Sequence, residues 1–298
     1  MRSAPTTLSA AEISRFHDEG YLIVRRAFSP DDALAMQHEW WSELSEAHGI
    51  RRDDRATWRP ILGDLKRAKH SPIQQRIATP RVRGVIDDLL GAGNWRPPRD
   101  WGRALVTFPQ PGAWDVPTEL WHWDSPCGWH SNALNALFVV SFVGSVAARS
   151  GGTLLLSGSP RLLMRQEAAL ASDEWQGDAA TRRDLFHRSH PWLMALAGKA
   201  PSPPDRIASF MEVETEIDGV PVRVVELTGE PGDMVFCHPT IVHCGGPNCG
   251  AQPRFMRIRQ QVMTHTGRTL LSRSMHPRSG AIDVGRPPPR SDRSSPRH

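Results

Sequence analysis

The sequence contains few cysteines, almost no tyrosine and no long apolar run. Its 298 residues include four cysteines and one tyrosine. So few cysteines in a chain of this length argue against a disulfide framework and for reduced thiols in the cytoplasm. No segment approaches the roughly 18 apolar residues of a membrane span, and no apolar stretch typical of a signal peptide follows Met1. We therefore expect a cytoplasmic protein with no membrane partner.

Basic residues exceed acidic residues only slightly, by 36 to 32, which gives a net charge of +4. Half of this excess lies in residues 281–298, where four arginines stand against two aspartates. No motif of a nucleic-acid-binding module accompanies the charge, so we expect no nucleic-acid partner. Residues 280–298 are rich in proline, serine and arginine, a composition that predicts a disordered basic tail.

Local signals predict helices first and strands afterwards. Ser9 and Glu12 form a capping-box pattern, and Gly20 is placed to end the helix that they open. Two further helices are predicted to begin after Ser29 and Thr79, each with proline at the first helical position. Short apolar segments bounded by glycine and proline predict strands at 21–24, 104–108, 120–124, 136–143, 153–156, 208–213, 220–227, 234–236, 241–244 and 255–263.

These segments favour a mainly β fold with flanking helices. Many short strands joined by Gly and Pro turns are typical of a sandwich or barrel. The natural arrangement is a double-stranded β-helix, the jelly-roll core of cupin-like proteins, which closes over a small-molecule pocket. We expect a single domain over residues 1–279, with a helical insertion at about 160–198 and a small-molecule substrate. Nothing in the sequence indicates an oligomeric state.

A candidate metal site begins in the segment Trp121-His122-Trp123-Asp124. His122 and Asp124 are two residues apart, so on an extended strand their side chains point to the same face. A later strand offers two histidines, His238 and His243, either of which could supply a third ligand. Two histidines and one carboxylate form the facial triad of non-haem Fe(II) oxygenases. Three protein ligands on one face of an octahedron leave room for a bidentate co-substrate and O₂.

A bidentate 2-oxo acid would need a cation for its far carboxylate. Arg254 lies on the strand that follows His243 and has the planar guanidinium that pairs with a carboxylate through two hydrogen bonds. Arg257 and Arg259 lie on the same strand, but regular alternation places both on the face opposite Arg254 if no bulge intervenes.

Several short motifs are specific only through their combined order and spacing. In chain order they are Tyr21-Leu22, Trp121-His122-Trp123-Asp124, Ser150-Gly151-Gly152-Thr153, Ser157-Gly158-Ser159, Pro231-Gly232-Asp233, His238-Pro239-Thr240-Ile241-Val242-His243, Gly245-Gly246-Pro247-Asn248 and Arg254. With these motifs, residues 9–265 resemble the phytanoyl-CoA dioxygenase family. The resemblance implies an oxygenase that uses Fe(II), 2-oxoglutarate and O₂ and releases succinate and CO₂.

The resemblance also implies roles for single residues. His122, Asp124 and His243 would bind iron, because the family's third ligand is the histidine before a glycine-rich turn, whereas His238 would be structural. Arg254 would bind the distal carboxylate of 2-oxoglutarate. Related halogenases have a small residue in place of the carboxylate, so Asp124 implies hydroxylation or another C–H oxidation such as desaturation.

A zinc site is the alternative reading of the same region. Cys237, Cys244 and Cys249 lie near the two histidines in sequence, and thiolates with imidazoles suit Zn²⁺. The protein would then be a metal-binding jelly roll with a structural or non-oxidative role. Against this reading, no C-x-x-C pair is present, and on a strand Cys237 and His238 point to opposite faces.

Two residues are candidates for contact with the substrate. Arg103 would suit an anionic group, and Trp129 would contribute an apolar wall. Trp121 and Trp123 alternate with the proposed ligands, so both are predicted to face away from the metal and pack in the core.

Overall fold

The computed structural model describes residues 6–61, 64–124, 134–169 and 178–266. Its helices are α1 (Ala10–Glu19), α2 (Pro30–His48), α3 (Lys66–His70), α4 (Pro80–Leu90), α5 (Ser159–Ala169), α6 (Ala179–Arg188) and α7 (Pro191–Leu196). Its strands are β1 (Tyr21–Val24), β2 (Arg103–Thr107), β3 (Ala136–Phe142), β4 (Thr153–Ser157), β5 (Thr215–Ile217), β6 (Val220–Glu226), β7 (Met234–Cys237), β8 (Val242–Gly245) and β9 (Arg254–Met263). Shorter helical turns lie at Arg55–Thr57, Pro72–Ile77 and Ala208–Glu212.

The first helix begins and ends where the sequence predicts. The Ser9 hydroxyl accepts a hydrogen bond from the backbone N–H of Glu12, and the Glu12 carboxylate accepts one from the backbone N–H of Ser9. This reciprocal pair satisfies two amide groups that the helix itself leaves free. Gly20 ends α1 in the left-handed conformation, at φ 85°.

Two antiparallel sheets form the centre of the molecule. The first has the strand order β1-β7-β3-β9-β2, and the second has the order β5-β6-β4-β8. Phe138 and Met256 of the first sheet belong to the same buried apolar cluster as Leu155 of the second. The two sheets therefore face each other across a shared core.

Helices cover the outer faces of both sheets. Trp40 of α2 packs against Phe255 of β9, with ring centroids 6.0 Å apart, within a cluster that also includes residues of α1 and α4. On the other side, Leu162 of α5 and Leu193 of α7 join the outward-facing apolar residues of β4 and β6. The protein thus has mostly antiparallel sheets with flanking helices, as the sequence predicts at this level. The helical segment expected at 160–198 contains α5, α6 and α7 in its described part.

The predicted strand at 208–213 is wrong, because this segment forms a π-helical turn. The Asp205 side chain accepts a hydrogen bond from the backbone N–H of Ala208 at 2.9 Å, which caps a helical turn. The neighbouring Arg206 guanidinium donates to four backbone carbonyls of two other segments. These long-range contacts fix the helical turn despite its apolar composition.

The predicted strand at 120–124 is also shorter than expected. Only His122 forms a β-bridge there. Leu120 has a positive φ of 64°, and its carbonyl accepts a side-chain hydrogen bond instead of a ladder bond. The chain therefore enters the pairing only at His122.

The predicted tail at 280–298 lies outside the described residues. Among the helices that are described, none combines the length and apolarity needed to cross a membrane.

Asp233 holds together the turn between β6 and β7. Its carboxylate accepts hydrogen bonds from the backbone N–H groups of Arg26 and Glu230, at 2.8 and 3.0 Å, and pairs with Arg25 at 2.7 Å. Burial alone would raise the pKa of this carboxyl, but these hydrogen bonds and the Arg25 charge lower it below its usual value. The motif Pro231-Gly232-Asp233 therefore has a structural role, joining β7 to the end of β1.

Asp233→Asn is expected to lower the free energy of unfolding by about 2 kcal/mol at pH 7, because buried hydrogen bonds to a charged group are lost. The lowered pKa makes this stabilisation complete above the unfolded-state pKa of roughly 3.9 and removes it as the pH falls through the folded-state pKa. Urea denaturation at several pH values measures the difference. Asp53→Asn, at an exposed position, is the control, and equal losses in both variants would contradict this role.

Candidate metal centre

His122 and His243 are brought together by direct pairing of their backbones. The N–H of His122 donates to the carbonyl of His243 at 3.0 Å, and the N–H of His243 donates to the carbonyl of His122 at 2.7 Å. Directly opposed residues of an antiparallel pair project their side chains from the same face. The two imidazole rings accordingly lie with centroids 4.4 Å apart.

Each imidazole is oriented by a backbone carbonyl two residues earlier in the chain. Nδ1 of His122 lies 2.7 Å from the carbonyl oxygen of Leu120, and Nδ1 of His243 lies 3.0 Å from that of Ile241. A carbonyl oxygen can only accept, so each Nδ1 carries the proton and each Nε2 is left with a free lone pair. This is the tautomer that binds metals through Nε2.

Asp124 completes the donor set. One carboxylate oxygen lies 3.6 Å from Nε2 of His122 and the other lies 3.6 Å from Nε2 of His243. One donor atom from each of the three residues lies within 4.8 Å of the other two. Ligand bonds of about 2.0–2.2 Å are usual for divalent metals with these donors, so small side-chain rotations allow one ion to contact all three.

The electrostatics of the three groups favour a bound cation. Desolvation and the neighbouring His243 lower the pKa of His122, which favours the neutral, ligating form. Burial alone would raise the pKa of Asp124, but its interactions with His243, His122 and Gln260 lower it. The site thus combines two imidazole nitrogen donors with one anionic oxygen donor.

One side of the site is closed and the other is accessible. The His243 side chain is 8% exposed, whereas that of His122 is 34% exposed. The Phe138 ring stacks on the His243 imidazole at 4.9 Å and 21°, so the core between the sheets supports this ligand. A small molecule could approach from the side of His122.

Arg254 lies at the start of β9 and is almost completely buried. Its guanidinium donates to the backbone carbonyl of Gly151 and, at 2.6 Å, to the hydroxyl of Thr107. Burial lowers the pKa of Arg254 to about 10, so the group remains charged at neutral pH. In the part of the chain that the structure describes, no carboxylate pairs with it.

Strand alternation puts Arg254 on the inner face of its sheet. Met256 and Ile258, two and four residues further along β9, belong to the apolar cluster between the sheets. Phe138, which stacks on the ligand His243, belongs to the same cluster. Arg254 therefore lies on the face of the first sheet that is directed toward the metal-ligand candidates.

The two glycine-rich motifs allow close backbone contact behind Arg254. A Cβ atom added to Gly152 would lie 2.3 Å from the carbonyl oxygen of Leu227, and one added to Gly246 would lie 2.4 Å from that of Gly152. The Asn248 side chain donates to the carbonyl of Thr107 at 2.8 Å. The motifs thus fix the backbone groups that hold the Arg254 side chain.

The other arginines of β9 have different surroundings. Arg257 points to the outer face, where its guanidinium donates to the Gln74 side chain and, at 3.1 Å, to the carbonyl of Lys69. Arg259 lies 3.3 Å from Asp100. The prediction that Arg257 faces away from Arg254 agrees with these contacts.

Of the cysteines that the structure describes, none forms a metal site with the histidines. Cys237 is buried between the sheets, whereas Cys244 is buried under the helices on the outer face of the second sheet. His238 instead contacts the Thr240 hydroxyl through Nδ1 at 2.7 Å. Among the described residues, the only cluster suited to a metal is His122, Asp124 and His243.

The remaining predicted residues have mixed outcomes. Trp121 and Trp123 belong to the apolar cluster between the second sheet and its covering helices, and Trp123 contacts Phe186 edge-on at 5.8 Å. This agrees with the prediction that both face away from the metal. Arg103 is exposed at the start of β2. Trp129 lies outside the described residues.

Sequence reasoning missed Gln260, whose side chain interacts with the Asp124 carboxylate and helps to lower its pKa. The signal was present in the spacing, because Gln260 follows Arg254 by an even number of residues on the same predicted strand.

Comparisons with protein-family models and with curated protein sequences found no match. Among solved structures, the chain is similar to the non-haem α-ketoglutarate-dependent carbocyclase SnoK from nogalamycin biosynthesis, with 18% identity and a TM-score of 0.51, over 86% of this chain and 85% of that chain. EctD from S. alaskensis with bound Fe gives 18% identity and a TM-score of 0.49, over 87% and 78%. AviO1 from Streptomyces viridochromogenes Tue57 gives 17% and 0.47, over 86% and 95%. At such low identity, the likeness to the carbocyclase shows a shared fold.

Purified protein is expected to bind a single equivalent of Co²⁺ at the three-residue centre. His243→Ala should weaken binding by at least roughly 100-fold, because loss of a ligand costs more than the 10–100-fold loss typical of residues behind the ligands. Titration followed by visible absorption measures the affinity. His238→Ala is the matched control and should bind Co²⁺ normally. Equal loss in both variants, with circular dichroism unchanged, would contradict the assignment of His243.

Proposed function

We propose that this protein is an Fe(II)- and 2-oxoglutarate-dependent oxygenase, with a jelly-roll core like that of the phytanoyl-CoA dioxygenase family. It hydroxylates or desaturates a small-molecule metabolite in the cytoplasm, with release of succinate and CO₂. One combination of features carries the proposal. A His-Asp-His donor set and a buried arginine, which has no carboxylate partner among the described residues, lie on facing surfaces of the same core.

The donor set fits iron(II). His122 and His243 supply imidazole nitrogens and Asp124 supplies a carboxylate oxygen, which is the ligand combination of non-haem iron oxygenases. The carbonyl groups that hold each Nδ1 proton keep both Nε2 atoms directed at the centre. The protein therefore has two nitrogen donors and one anionic donor in place before any metal binds.

The surroundings of Arg254 fit a dicarboxylate. A buried charge without a counter-ion is costly, and an incoming carboxylate removes most of that cost. The fixed contacts of Arg254 with Gly151 and Thr107 restrict its guanidinium to one orientation. A 2-oxo acid with a second carboxylate could then span from the metal ligands to this cation.

When bound, iron would activate O₂, which supplies the oxidising power for attack on an unactivated C–H bond, while 2-oxoglutarate serves as the reducing co-substrate. The residues of the chain supply binding and orientation. Arg254 anchors the distal carboxylate, the three ligands fix the metal, and the apolar cluster between the sheets limits the access of water. The more exposed flank of His122 leaves room for a substrate.

Asp124→Ala and His122→Ala are expected to abolish succinate formation from 2-oxoglutarate, because each removes a metal ligand. The assay measures succinate with and without a panel of candidate substrates, since such enzymes also turn over slowly without substrate. His238→Ala is the control and should retain activity. Normal succinate formation by His122→Ala would refute the proposed metal centre.

Arg254→Lys is expected to raise the KM for 2-oxoglutarate by roughly 30-fold or more, because truncating one side of a buried charge pair costs about 2–5 kcal/mol and lysine lacks the planar fork. Arg257→Lys is the matched control, since it makes the same change on the opposite face of β9. A similar KM in the two variants would argue against Arg254 as the anchor.

The oxidation product is expected to gain about 16 mass units by hydroxylation or to lose about 2 by desaturation. The reason is that Asp124 occupies a ligand position that a halogenase would leave for chloride. Mass spectrometry of reactions run with and without chloride measures the product. A chlorinated product would overturn this part of the proposal.

A further inference from the structure

A cavity of about 350 Å³ opens where β2 and β9 meet α3. Its walls include Gly102 and Arg103 of β2, the segment 258–260 of β9, and the side chains of Asp64 and Lys69. The cavity is outside the donor set described above. Most of the side chains that line it are charged or polar, unlike those of the apolar core between the sheets.

The cavity adjoins the candidate metal centre through two residues of β9. Gln260 lines the cavity, and its side chain interacts with the Asp124 carboxylate. Ile258 also lines the cavity and belongs to the same apolar cluster as Phe138, the residue stacked on His243. A molecule in this cavity is therefore adjacent to the metal ligands.

The charges around the cavity do not cancel. Arg259 and Asp100 pair with each other at 3.3 Å. Lys69, Arg103 and Asp64 have no side-chain hydrogen bond or ion pair to any residue in the described part of the chain. Two free cations against one free carboxylate leave one positive charge in excess. Such an arrangement attracts an anionic ligand.

Both free cations are attached to backbone that is fixed against β9. Arg103 is paired with Ile258 in the antiparallel register, and a Cβ atom added to the preceding Gly102 would lie 1.8 Å from the carbonyl oxygen of Ile258. On α3, the carbonyl of Lys69 accepts a hydrogen bond from Arg257 at 3.1 Å. The two cations thus start from well-defined positions in the lining of the cavity.

We propose that this cavity binds an oxyanion group of the substrate, with Arg103 and Lys69 as the cations that hold it. The substrate of the proposed oxygenase is then a small molecule with a carboxylate, phosphate or sulfate group, and this statement rests on the proposed function. The anion is held beside Gln260, so the rest of the molecule extends toward the metal ligands. Asp64 opposes the anion and limits its affinity.

Inorganic phosphate serves as the probe, titrated by calorimetry into metal-free protein at low ionic strength, where exposed charges are least screened. Arg103→Ala and Lys69→Ala are each expected to weaken phosphate binding about fivefold, the effect typical of one partly exposed ion pair. Asp64→Asn is expected to strengthen it by a few fold, because a like charge is removed. Lys66→Ala, on the same helix as Lys69 but outside the cavity, should leave the affinity unchanged.

The position of the probe is checked by NMR of the isoleucine methyl groups. Phosphate is expected to shift the Ile258 δ1 resonance in wild-type protein, whereas Ile217, buried under the outer helices, should not respond. Loss of binding in Lys66→Ala to the same extent as in Lys69→Ala, or no effect of Asp64→Asn, overturns the proposal. Absence of phosphate binding by wild-type protein overturns it as well.

This titration needs neither iron nor 2-oxoglutarate, so its result is independent of the proposed oxygenase activity. Charge-dependent phosphate binding without succinate formation would leave the anion site standing and reject the oxygenase. Succinate formation without this pattern of phosphate binding would support the oxygenase and reject the anion site.

Discussion

The pairing of His122 with His243 is the interaction on which the candidate site depends. Two backbone hydrogen bonds join these residues, and β8 is in turn paired with β4. The separation of the two imidazoles is therefore set by strand pairing and not by the conformation of a long loop. Asp124 follows His122 by two residues and reaches the same centre, with its carboxylate oxygens 3.6 Å from both Nε2 atoms. Assembly of the ligands thus requires that the second sheet be folded.

Comparison of the two buried arginines of β9 separates a structural role from a binding role. Desolvation lowers the pKa of both Arg254 and Arg257 to about 10, so burial does not distinguish them. The charges of Asp100, Arg259 and Glu39 also act on Arg257, whereas none of the described residues places a charge near enough to Arg254 to shift its pKa. A buried cation with no acidic neighbour is unfavourable unless a ligand supplies the charge. This difference supports the proposal that Arg254 binds the co-substrate.

The parts of the structure that depend on local sequence could be predicted, and those that depend on distant contacts could not. The helix start at Ser9 follows from its capping-box pattern. The two-residue alternation of strands predicts the inward direction of Arg254 and the shared face of His122 and Asp124. The π-helical turn after Asp205 depends on contacts of Arg206 with the carbonyls of Val116 and Pro117, far away in the chain, which no local pattern encodes. The cavity cations were predictable only for Arg103, because Lys69 reaches the same opening through tertiary packing of α3.

Strand β9 contains a break in its pairing register close to the candidate metal centre. The pairing with β3 shifts between Val139, which opposes Arg259, and Leu137, which opposes Val262. Three steps along β9 therefore correspond to two along β3, so the strand bulges just after Arg259. A bulge bends its strand and redirects the adjacent side chains. Because this one lies beside Gln260, the strand that holds Arg254 deep in the core also places an amide against Asp124 at the opening. A single strand thus carries both the proposed co-substrate anchor and the amide beside the candidate metal centre.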